Sequence, residues 1–113
     1  MQPIPSVSEA DLKRILKRDF SSTEEKARQL LFQMPLQGGT RVRLAVLKLA
    51  NRDLDSLKSY VRMAAEDYRD VLAYAEYPLY SKKVFGIDNL PEESRNQIIE
   101  EDWKQYQTWL NAE

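Results

Sequence analysis

At 113 residues the chain has the size of one domain, and a composition 42% hydrophobic and 31% charged suits a folded core rather than disorder. It contains no histidine and no cysteine, which removes the commonest general base, the commonest metal ligand, the thiol nucleophile, the disulfide and the zinc knuckle together. Net charge is −1 but unevenly spread: residues 1–52 hold ten Lys and Arg against five acids, residues 53–113 seven against thirteen.

Helical signals run the length of the chain and strand signals are nearly absent. Ser6 with Glu9 and Ser8 with Asp11 are alternative cap pairs opening a first helix over about residues 8–19, with Leu12, Ile15 and Leu16 as its apolar stripe. Ser22 with Glu25 reads as a capping box for a second, whose stripe is Ala27, Leu30, Leu31 and Met34 and whose stop is Pro35. Thr40 is the expected cap of a third helix, apolar around most of its circumference and therefore expected inside the bundle.

After a tight turn at Asn51-Arg52, Asp53 caps a fourth helix. Leu54, Leu57, Val61, Ala64, Tyr68, Val71 and Ala75 keep 3-4 spacing for about twenty residues. Pro78 ends it or opens a short helical turn; Gly86, Asp88 and Asn89 read as loop. Pro91-Glu92-Glu93 then forms the first turn of a last helix, lined by Ile98, Ile99, Trp103, Tyr106, Trp109 and Leu110. The expected fold is all-α: a compact antiparallel bundle of five main helices, with room for a sixth short one, around a long central fourth helix. One helical domain spans 1–113, with 1–7 a flexible N-terminal segment.

Three places concentrate chemistry. A second seam of the fourth helix holds Tyr60, Met63, Asp67, Asp70, Tyr74 and Tyr77, and the aromatic run continues through Tyr80 toward Phe85. Interfaces favour such amphipathic aromatics, so these residues are the expected interaction surface. Asp67 and Asp70, one turn apart, would also suit a cation or basic group. The loop Gly38-Gly39-Thr40-Arg41, with Arg43 beyond, has the local features of an anion site at a helix start but not the spacing of a P-loop. Lys13, Arg14, Lys17 and Arg18 make one side of the first helix basic. Asp102 falls inside the last helix's apolar stripe; it is expected at the stripe's edge, head in water and near Arg95.

No catalytic residue, metal site or cofactor is expected. The functional expectation is a small non-catalytic helical protein-interaction or regulatory module that binds a protein partner or itself. The alternatives are a small-ligand protein, for an anion or cation, and a nucleic-acid-binding domain using the basic half. A pI near 5.6 and the acids of residues 53–70 speak against nucleic acid. The chain lacks a basic and apolar leader, and its longest apolar run, Leu44 to Leu47, cannot cross a bilayer. The expected setting is the cytoplasm, with no membrane partner.

Overall fold

A computed structural model describes residues 4–33, 35–82 and 90–113, and among them the regular structure is entirely helical. α1 (Glu9–Asp19) opens on the Ser8–Asp11 pair: the Ser8 hydroxyl accepts from the Asp11 N–H and the Asp11 carboxylate accepts from the Ser8 N–H at 3.0 Å. The Ser6–Glu9 alternative is not used. α2 (Glu24–Leu31) begins one residue past the expected box, at Thr23, which makes no side-chain cap bond. A turn closed by the Thr23 N–H donating to the Phe20 carbonyl at 2.9 Å sets that start.

α3 (Gly39–Ala50) lies at the centre, against α1, α4 and α5, with Val42, Leu44, Ala45, Val46, Leu47 and Ala50 buried. Its cap is Gly38 rather than Thr40. Gly38 stands in the left-handed region at φ 86°, and a Cβ there would collide with the Val42 side chain. The turn after α3 keeps Asn51 and Arg52 at positive φ, 51° and 67°.

α4 (Leu54–Glu66) opens on Asp53, whose carboxylate accepts from the Ser56 N–H at 2.9 Å. The expected long fourth helix ends at Glu66, and α5 (Tyr68–Glu76) starts anew after Asp67. Asp67 is extended, φ −152° and ψ 98°, and caps α5 by accepting from the Arg69 N–H at 3.0 Å. Leu57, Val61, Ala64, Val71 and Ala75 remain buried on both sides of the break. Because the apolar phase survives, periodicity cannot register a one-residue interruption.

α6 (Pro78–Lys82) follows at Pro78, and α7 (Glu92–Asn111) closes the chain. The described residues thus hold seven helices, because the fourth divides at Asp67. α7 packs on α5 and α6 and buries Ile98, Asp102, Tyr106 and Leu110, so Asp102 stands in the middle of its buried stripe. The loop expected at Gly86, Asp88 and Asn89 lies outside the described residues. So do residues 1–3 of the expected N-terminal segment, of which Pro5 is buried and Ile4 is exposed. Among the described residues no helix is long and apolar enough to cross a membrane.

Candidate functional site

A groove of about 580 Å³ runs between α1, α2 and the start of α3. α1 lines it with Glu9, Leu12, Lys13 and Leu16, at i, i+3, i+4 and i+7, so one helix face forms a wall about 10 Å long. Arg28 and the α2 cap residue Phe32 form a second wall, and Thr40 and Arg43 of α3 a third. Leu12 and Leu16 are buried and make an apolar floor, while Phe32 at the end of the groove is 50% exposed. About half of the Phe32 surface is therefore open to contact.

The groove's rim is positive. Lys13 and Arg28 are exposed, Arg43 is half-buried, and Glu9 is the single acid among the lining residues. The Arg28 guanidinium meets Glu24 at 3.5 Å, an exposed pair of little energetic weight. The Arg43 guanidinium lies 4.5 Å from the centre of the Phe32 ring, a cation–π arrangement. Its Nε is buried without a hydrogen-bond partner among the described residues, and the residue as a whole is half-buried.

The residues of the expected anion site separate. Thr40 and Arg43 line the groove, Gly38 caps α3, and the half-buried Gly39 has open space beyond its Cα. Arg41 turns away and holds Glu76 of α5 in a bidentate pair, Nε at 2.8 Å and Nη2 at 2.6 Å. Glu76 is only 6% exposed, and its hydrogen bond raises the Arg41 pKa further above its ordinary range, against the opposing effect of burial. A carboxylate of the chain itself therefore already occupies Arg41.

The expected interaction seam is divided as well. Tyr60 and Met63 are half-buried against the core. Asp67 accepts from the Arg69 backbone and from its Nε at 3.1 Å, and this bonding lowers the Asp67 pKa. It borders a separate hollow of about 410 Å³ beside the helix break. Asp70 is exposed in the first turn of α5. Tyr74 is 51% exposed, while Tyr77 and Tyr80 are half-buried and meet edge to face at 6.3 Å. The end of that segment, at Phe85, lies outside the described residues. No group of three or more acids stands close enough to hold a metal ion among the described residues.

Two polar residues take roles that differ from their expected ones. Asp102 is 1% exposed, not at a wet edge, and its two oxygens accept from the backbone N–H groups of Leu79 at 2.9 Å and Tyr80 at 3.0 Å. Arg95 is not its partner. Arg18 leaves the basic face of α1 and donates to the Trp109 and Ala112 carbonyls at 2.6 and 2.8 Å, closing the end of α7. Lys13, Arg14 and Lys17 stay exposed.

Spacing within single helices cannot reveal the groove, because it is assembled from residues 9–16, 28–32 and 40–43. The excess of basic residues before residue 53 was the one available signal. No family model matches the chain, and neither do any of the curated proteins or solved structures compared with it.

Proposed function

We propose that this chain is a non-catalytic, cytoplasmic helical module that binds a protein partner in the groove between α1, α2 and α3. The observation that carries the reading is the half-exposed Phe32 ring at the end of a concave apolar floor. Aromatic rings set in water-excluding pockets supply a large share of interface energy, and arginines beside them add orientation. Lys13, Arg28 and Arg43 around that floor give a partner both an apolar anchor and charged contacts. The chain has no histidine or cysteine to carry the commonest chemistries, and composition supports binding over catalysis.

A second surface, on α5, is favoured by Tyr74, which is 51% exposed beside the Tyr77–Tyr80 pair. One experiment separates the two. A photocrosslinking amino acid is placed in turn at Phe32, at Tyr74 and at Asn96, the last exposed on α7 and outside the groove. Irradiation of cells that make the chain natively should give a discrete protein adduct from position 32 and none from position 96. Adducts from position 74 alone would move the surface to α5. Equal labelling at all three positions, or none at 32 and 74, would remove the interaction reading.

A further inference from the structure

Resting on that reading, we infer that the occupant of the groove is an acidic amphipathic helix of the partner protein. The geometry suits a helix. The α1 wall spans two turns, and its floor residues Leu12 and Leu16 sit below the rim, as a groove that receives apolar side chains at i, i+3 or i+4, and i+7 requires. A bilayer surface is flat on this scale and cannot reach a recessed floor, whereas a ridge of leucines can.

Charge chooses the sign. Three cations, Lys13, Arg28 and Arg43, surround the floor against Glu9 alone, and exposed Lys17 extends the positive face one turn further along α1. Complementary potential steers encounter and rejects like-charged helices. Arg43 is the most specific of the three. It is half-buried with its guanidinium over Phe32, so a partner carboxylate beside the ring would meet a cation whose position is already set. A nucleic-acid backbone would satisfy the cations but would leave the leucine floor and the Phe32 ring uncovered.

The test measures binding of the full chain to labelled four-turn peptides by fluorescence anisotropy. One peptide carries leucines on one face and glutamates elsewhere, a second is its scramble, and a third replaces glutamate by lysine. Vesicles of phosphatidylcholine with phosphatidylserine form a fourth arm. The acidic amphipathic peptide should bind at least tenfold tighter than the scramble and the lysine peptide, weaken as salt is raised, and lose roughly tenfold on Phe32→Ala or Arg43→Ala. Lys13→Glu, at an exposed position, gives the same loss without touching the core and covers the case in which Arg43→Ala misfolds. Equal binding of the scramble overturns the helix, tighter binding of the lysine peptide overturns the charge, and vesicle binding that Lys13→Glu abolishes overturns the protein partner. If no peptide binds while position 32 still yields its adduct, the acidic helix is wrong and the interaction reading stands; if the adduct is missing too, both fall.

Discussion

Tyr106 is the bulkiest side chain wholly inside the molecule among the described residues, and its hydroxyl is buried there with no hydrogen-bond partner. Burial, with the nearby Glu76 charge adding to it, pushes the phenol well above its ordinary pKa. The neutral phenol is thus favoured in the folded state, so its contribution to stability is full below the unfolded value of about 10 and is lost as pH climbs through and above it. Lys48 works the other way: burial lowers its pKa despite the Asp102 charge, so its titration adds stability as pH rises. Tyr106→Phe isolates the first effect, because it keeps the ring that packs on Trp109 at 5.6 Å. Urea unfolding at pH 7 should show stability unchanged or raised by up to about 1 kcal/mol, since an unsatisfied hydroxyl is removed. At about pH 11 the variant should lead the parent by more than it does at pH 7. An equal difference at both pH values would mean that the phenol ionises as readily in the folded as in the unfolded chain, so that its hydroxyl reaches water.

Among the elements, α6 depends most on a neighbour. Five residues cannot hold a helix alone in water, and two of its early N–H groups find their acceptors on Asp102 of α7. Gln105 adds to the junction by donating to the Ala75 carbonyl at 3.1 Å, one of the orphan carbonyls at the end of α5. Asp102→Ala leaves two half-buried N–H groups without their acceptor and should cost about 1–3 kcal/mol. The loss should appear locally as faster amide exchange at Leu79 and Tyr80, and unchanged exchange there would show that the cap is dispensable. Reading Asp102 as a wet edge residue failed because its acceptors serve residues more than twenty positions earlier, a relation that helical spacing does not encode. Asp67 was legible in principle: Asp67-x-x-Asp70 is a cap with an acid at the third helical position, the same grammar as Ser8-x-x-Asp11. An unbroken apolar phase hid it.

In the whole molecule, long-range arginine contacts join the basic first half to the acidic second. Arg41 ties α3 to α5 through Glu76, and Arg18 ties α1 to the end of α7. Part of the charge asymmetry is therefore met within one chain, and the charges left exposed include Lys13, Arg14, Lys17, Lys26 and Arg28 from the first half and Glu92, Glu93, Glu100 and Glu101 from the second. Arg41→Ala should cost about 2–4 kcal/mol because it strands the buried Glu76 carboxylate, and Glu76→Ala less, because the Arg41 guanidinium keeps contact with water. The double variant should cost clearly less than the two combined, with a coupling of about 1–3 kcal/mol in urea unfolding. Simple additivity would show that water screens the pair and that it does not link the two helices.

The sequence alone determined the helical class, the burial of α3 and the start at Asp53, because apolar periodicity and capping act within one or two turns of chain. It left Ser6 and Ser8 open as the first cap and put the fourth helix, not α3, at the centre. Only the tertiary structure decided that Arg41 serves Glu76, that Asp102 caps another helix, and that Phe32 and Arg43 close a groove with α1. Those relations join residues 11 to 35 positions apart. They arise when packing brings separate helices together and buried polar groups take whichever partner the fold supplies.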